Sequence, residues 1–178
     1  PFSDSPLDHE CVGENVYLNI IRHASRYVYI FTPYLIIDNE MMEALCLAAK
    51  SGVDIRIVTP GIPDKKIVYM LTKSYYPQLL EAGVRIYHYT PGFIHAKCYV
   101  CDDEVGVVGT INMDYRSLYL HFECGTYIYN SKAIADLKKD FFDTFEISEE
   151  VHEKDRPKKV SLITMTFKAI LRLFAPLM

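Results

Sequence analysis

His95, Lys97, Asp102, Gly109, Thr110 and Asn112 stand in the spacing H-x-K-x4-D-x6-G-T-x-N. At ordinary residue frequencies, a chance match to this pattern along such a chain is on the order of one in 10⁵. On an extended segment side chains two apart face the same way, so His95 and Lys97 project together. Burying two neighbouring cationic groups costs several kcal/mol. The pair is therefore a poor structural device and a good anion clamp. Asn112 adds a neutral donor and Thr110 a hydroxyl. Together these groups can hold the non-bridging oxygens of a phosphate while His95 attacks phosphorus or moves a proton. Asp102 completes the catalytic set with His95 and Lys97. Asp is common in strand turns, so it either closes the turn or pairs with a cation in the site; we do not read it as a proton carrier. Glu123 falls on the next strand. A carboxylate accepting from one ring nitrogen of His95 fixes the tautomer and leaves the other nitrogen to react.

These residues need a frame, and the chain supplies alternating signals for one. Residues 1–13 read as an irregular lead-in. A helix is expected over 14–24, a strand over 27–31, and a second helix capped by Asp38 and stopped by Gly52. A strand follows over 53–58, then a helix over 64–82 with a break near Pro77, then a strand over 84–89. Residues 93–100 and 105–108 read as a strand pair joined by the acidic turn Asp102-Asp103-Glu104. A further strand over 122–129 leads to a helix capped by Ser131 and running to about Ile147. Such alternation argues for an α/β layered domain with a mostly buried sheet. Glu149 to Lys159 reads as a charged linker. Beyond it Ser161, Thr164, Lys168 and Arg172 form a polar stripe at helical spacing, with Ile163, Phe167, Ile170, Leu171 and Phe174 opposite.

Composition narrows the function classes. The 178 residues fit one domain, half of them are apolar, and Tyr (14) dominates the aromatic share. The net charge of −4 is uneven. From Arg156 to Met178 there are five basic residues and no acidic one; the remaining chain carries 14 of the 19 basic residues and all 23 acidic ones. An acidic body argues against a general nucleic-acid binder. The basic, apolar tail suits an anionic membrane surface, with docking on the body as the plain alternative. Five cysteines without a regular framework suggest reduced thiols and the cytoplasm. Cys98 and Cys101 form a C-x-x-C, but three apart on a strand they face opposite sides and read as buried small hydrophobes. His23, His88 and His152 read as surface or packing residues, and Tyr34 as either a cleft or a packing residue. No cluster has metal-ligand spacing. The chain begins at Pro1 and is expected to be a piece of a longer protein; no signal peptide and no apolar run of ~18 residues is visible.

The motif resembles that of the phospholipase D superfamily. The stretch "FIHAKCYVCDDEVGVVGTINMDYRSLYLHFECG" is similar throughout to the second motif region of bacterial cardiolipin synthases, as are "SPLDHECVGENVYLNII", "YVYIFTPYLIIDNEMMEAL" and "YYPQLLEAGVRIYHYTPGF". Two positions depart from the commonest family wording: Thr110 where Ser is frequent, and His121 where Asn is frequent. The resemblance implies a phospholipase D-like layered fold, a mixed β-sheet flanked by helices. It implies a catalytic half-domain over 1–150, then a basic linker and amphipathic helix over 151–178. It implies phosphatidyl transfer between two phosphatidylglycerol molecules, giving cardiolipin and glycerol through a phosphohistidine, with no metal and no cofactor. Two such motifs meet in the family, one His acting as nucleophile and the other as acid/base. His95 belongs to the second motif, which assigns it the acid/base role before the nucleophile role. Lys97, Asn112 and Thr110 then bind phosphate, and Arg116 and Ser117 hold the loop. Glu occurs in related members where Glu123 stands here.

The implied partners are phosphatidylglycerol and anionic lipid, with the N-terminal half of the parent chain or a second copy of the fragment. The implied place is the cytoplasmic face of a bacterial cell membrane, the fragment itself being soluble or peripheral. A homodimeric phosphodiesterase or nuclease is the rival reading, and a silent membrane-binding module a third.

Overall fold

The computed structural model describes residues 1–7, 9–152 and 173. Strands β1 (Phe2–Asp4), β2 (Tyr27–Phe31), β3 (Leu35–Ile36), β4 (Asp54–Pro60) and β5 (Arg85–Tyr89) alternate with helices α1 (Val12–His23), α2 (Asn39–Lys50) and α3 (Lys66–Glu81). The second half adds β6 (Cys98–Cys101), β7 (Val105–Gly109), β8 (Met113–Asp114), α4 (Tyr115–Tyr119), β9 (Glu123–Tyr129), α5 (Ala133–Glu146) and β10 (Ser148–Val151). Eight strands form one sheet in the order β1-β9-β7-β6-β2-β4-β5-β10, and β3 pairs with β8 apart from it. β2, β4 and β5 run parallel; the remaining pairs of the large sheet are antiparallel.

The sheet is mixed and covered on both faces. In β2 all five residues are buried. Val28 and Ile30 join the core beneath α1, α2 and α3, whereas Tyr27, Tyr29 and Phe31 join the core beneath α5. Double burial explains why β2 reads as an unbroken apolar run, since both sides of the pleat need apolar cover. Cys98 and Cys101 divide in the same way, one to each core. Burial pushes their thiols up, to about 11 and about 12, as suits packing residues.

Four segments depart from the sequence expectation. The lead-in contains β1, whose Phe2 ring lies over Gly125 so closely that a Cβ there would meet it at 2.6 Å. The expected strand from residue 93 begins only at Cys98, because both neighbours end opposite that residue: β2 at Phe31 and β7 one residue later. Helix α3 continues through Pro77, held by buried Leu71, Tyr75, Tyr76 and Leu79 on both sides of it. Residues 149–151 of the charged linker form β10, an edge strand tied to β5 by Glu150, which takes two 2.8 Å hydrogen bonds from Arg85. The tail helix expected over 161–174 lies outside the described residues but for Leu173.

Asp102 corrects a site expectation. It sits in the β6–β7 turn, with φ of 52° followed by 62° at Asp103, the consecutive left-handed residues that tight hairpins favour. Lys97 precedes the other end of β6, about 15 Å away at the rise of a strand. The Asp102 carboxylate accepts from the backbone N–H groups of Ser25, Arg26 and Tyr27 at 2.7–2.9 Å, and from the Ser25 hydroxyl. It staples the start of β2 to the hairpin. Burial alone would raise its pKa, but these donors outweigh burial and hold it below the usual 3.8. A depressed carboxyl stabilises the fold above the ordinary aspartate value, and this contribution is lost as pH falls through the folded value. We expect Asp102→Ala to cost about 2–4 kcal/mol in urea unfolding and to flatten the decline of stability below pH 3.8.

Candidate active site

At the end of the sheet where β6 begins and β7 ends, His95, Ala96, Lys97, Cys98, Val108, Gly109, Thr110 and Asn112 line an open concavity of about 540 Å³. The structure thus brings His95, Lys97, Thr110 and Asn112 to one place. Each arrives from a chain end released by the sheet. His95 and Lys97 precede β6, and Thr110 and Asn112 follow β7. Gly109 closes the arrangement. Its N–H donates to the Lys97 carbonyl at 3.1 Å. A Cβ there would stand 2.5 Å from the Cys124 carbonyl oxygen and 2.8 Å from the Gly125 Cα. The motif glycine is therefore required by close approach of backbone, with no need of unusual φ.

Lys97 is buried, 8% exposed, and its Nζ donates to the His95 carbonyl at 2.7 Å. Among the described residues no carboxylate lies within ion-pair distance of it. Burial lowers its pKa, while the charges of Glu123 and Asp114 pull the other way. Such an ammonium is already desolvated in the folded protein, a state that favours an anionic neighbour. His95 is exposed, with its ring 5.7 Å from that of Phe93. Asn112 Nδ2 donates to the Ser117 hydroxyl at 3.0 Å, and its Oδ1 is buried without a partner. The Ser117 hydroxyl can donate as well as accept. The Asn112 side chain also donates toward the Asp114 carboxylate and helps to hold its charge.

Glu123 behaves otherwise than expected. The Thr110 hydroxyl donates to its Oε2, and its Oε1 lies 3.7 Å from His121 Nδ1. Among the described residues no hydrogen bond joins it to His95. Thr110 thus orients a carboxylate, and its hydroxyl accepts from Cys124 N at 3.0 Å, which fixes the two chain ends together. Arg116 and Ser117 lie on α4, whose N-cap Asp114 accepts from Ser117 N at 2.8 Å. With Asn112, Glu123, His121, Tyr34 and Lys65 they line a second, smaller cavity that shares Asn112 with the first. The neighbouring His88 is a packing residue: it lies against Tyr69 and Tyr76, and burial pushes its imidazole down to about 4.

One cluster had no sequence signal. Glu14, Asp38 and Glu40 gather their carboxylates within 4.8 Å. They come from α1, the α2 cap and α2, so only the fold unites them. Tyr119 donates to Glu14 and lies 3.1 Å from Asp38 Oδ2, and Arg22 pairs with Glu40 at 2.6 Å. Burial raises the Glu14 carboxyl. These contacts account for the cluster as a packing network between α1, α2 and α4.

A family model described as the phospholipase D-like domain of cardiolipin synthase matches residues 17–144. The chain belongs to this family. An uncharacterized protein of Streptococcus mutans is 54% identical over 100% of the chain and 38% of its own length. The cardiolipin synthase of Clostridium perfringens is 42% identical over 99% of the chain and 37% of its own length. Cardiolipin synthase 2 of Bacillus anthracis is 39% identical over 93% and 32%. The chain spans about a third of the length of these relatives. Among solved structures, the phospholipase D family member Nuc of Salmonella typhimurium shares the fold, with a TM-score of 0.68 at 18% identity over 79% of this chain and 91% of that one. Phosphatidylserine synthase of Haemophilus influenzae gives 0.69 at 16% identity over 92% and 42%.

Two substitutions test the arrangement. Lys97→Met removes a buried charge that has no carboxylate partner; it should raise Tm by about 2–4 °C while abolishing turnover of the intact protein. Gly109→Ala must separate β7 from β9 and should cost about 2–3 kcal/mol in denaturant unfolding.

Proposed function

We propose that the chain is the C-terminal catalytic half of a cardiolipin synthase, which transfers a phosphatidyl group from one phosphatidylglycerol to another and releases glycerol. The observation that carries this reading is the convergence of His95, Lys97, Thr110 and Asn112 on one open concavity. Cardiolipin synthase relatives near 40% identity, each about three times as long as the matching segment, support it. In the full protein a histidine of the other motif attacks phosphorus, the bond to glycerol breaks, and His95 supplies the proton to the leaving oxygen. A hydroxyl of the second phosphatidylglycerol then gives its proton to His95 as its oxygen displaces the histidine. The exchange replaces one phosphodiester by another, so no nucleotide is required. Lys97 and Asn112 hold the charge that spreads over the phosphoryl oxygens.

The partner surfaces are an anionic membrane and the N-terminal half of the parent chain, with the cytoplasmic face as the place of action. Among the described residues no helix is long and apolar enough to cross a membrane. Exposed Phe93 and Val108 beside the concavity suit an acyl chain or the second half.

The test is thin-layer analysis of lipid products from the intact full-length protein in phosphatidylglycerol vesicles. Wild type should yield cardiolipin and glycerol, and His95→Asn should lower the rate by about 10²–10⁴-fold, the usual worth of a general acid/base. Undiminished cardiolipin from His95→Asn would overturn the reading. The rival, a homodimeric phosphodiesterase or nuclease, draws on the 91% coverage of Nuc. Cleavage of DNA or a soluble diester by the isolated chain, with no lipid product from the full protein, would favour it.

A further inference from the structure

The smaller cavity beside the catalytic one has no task in the scheme above. It measures about 170 Å³. At about 30 Å³ of liquid volume per water, that holds five or six small groups, which fits a three-carbon diol headgroup and excludes an acyl chain. Its wall is continuous with the catalytic concavity through Asn112. Lys65 and Arg116 face it from α3's approach and from α4, and among the described residues neither has a carboxylate within ion-pair distance. Its own acids are engaged. Glu123 takes the Thr110 hydroxyl and faces His121, and Asp114 accepts from Ser117 N. Burial raises the Asp114 carboxyl, while donors from the Ser117 backbone and the Asn112 side chain oppose the rise.

His121 is the member of the wall whose ring can either donate or accept a hydrogen bond. Its Nδ1 lies 3.0 Å from the Phe122 carbonyl oxygen, and a carbonyl can only accept. In the neutral ring Nδ1 therefore carries the proton, and Glu123 at 3.7 Å favours the same tautomer. Nε2 is left as a hydrogen-bond acceptor.

We propose that this cavity seats the headgroup of the acceptor lipid, with Lys65 and Arg116 on its phosphodiester and His121 accepting from a headgroup hydroxyl. The inference rests on the phosphatidyl-transfer reading. It gives the second substrate a place that is separate from the phosphorus under attack and joined to it at Asn112. Loss of acceptor binding lets water take the phosphatidyl group, giving phosphatidic acid instead of cardiolipin.

The experiment uses the intact full-length protein and vesicles in which phosphatidylglycerol is diluted into phosphatidylcholine. Cardiolipin and phosphatidic acid are quantified together. His121→Leu should lower the ratio of cardiolipin to phosphatidic acid by roughly three- to tenfold, the worth of one hydrogen bond. His121→Gln, which keeps an acceptor, should restore most of the ratio. Lys65→Met should make the ratio more sensitive to dilution of phosphatidylglycerol. Equal folding of the variants is checked by thermal unfolding. An unchanged ratio in His121→Leu and Lys65→Met, whatever the total rate, overturns the acceptor site while leaving phosphatidyl transfer standing. Absence of cardiolipin from the wild type overturns the transfer reading itself.

Discussion

The site depends on one unfavourable interaction, the burial of the Lys97 ammonium with a carbonyl and no carboxylate beside it. A buried cation without a counter-charge costs the fold free energy. Glu123 and Asp114 soften that cost through space, but Glu123 is committed to Thr110 and Asp114 to the N-terminus of α4. The charge that would complete the balance is an anion from outside. The same arrangement favours an incoming anion, because the ammonium is already desolvated in the folded protein.

An uncompensated charge of this kind persists only where the rest of the fold holds it in place. Here the sheet does so. β6 is one of the two middle strands of the eight, flanked by β2 and β7 and covered on both faces. At its far end Asp102 draws four donors from residues 25–27 and fixes the strand against sliding. At its near end Gly109 binds the Lys97 carbonyl and permits β7 to approach β9 closely. The motif residues therefore divide into two kinds. His95, Lys97, Thr110 and Asn112 converge on the concavity, and Asp102 and Gly109 hold the hairpin that presents them. An account that treats all six as chemical groups misplaces Asp102.

How much of this was legible in the sequence follows the range of the interactions. Helices and central strands were readable because their burial is repeated along the chain: the apolar run of β2 and the Asp38 cap of α2 are local signals. Edge strands were not. β1 rests on the packing of Phe2 over Gly125, and β10 on the pairing of Glu150 with Arg85, contacts between residues far apart in sequence. The convergence of the motif was legible from spacing alone, because a hairpin necessarily brings its two open ends together. The partner of Glu123 was not. Its distance along the chain suits His95, but the carboxylate turns to the Thr110 hydroxyl, which the pairing of β7 with β9 places nearer.

The departure at Thr110 gains meaning from that contact. Its hydroxyl sits between Glu123 and the Cys124 carbonyl, and the Cys124 N–H donates back to it at 3.0 Å. A hydroxyl that donates to a carboxylate and accepts from a backbone N–H is saturated by the protein and has little left for a phosphate oxygen. The extra methyl of Thr limits the rotamers of that hydroxyl, which suits a bridging role. In this geometry Thr110 orders the β7–β9 junction and aims Glu123, which under the proposed reading leaves the anion to Lys97 and Asn112. The division matches the burial: the ammonium and the unpartnered amide oxygen are enclosed, and the threonine stands at the rim.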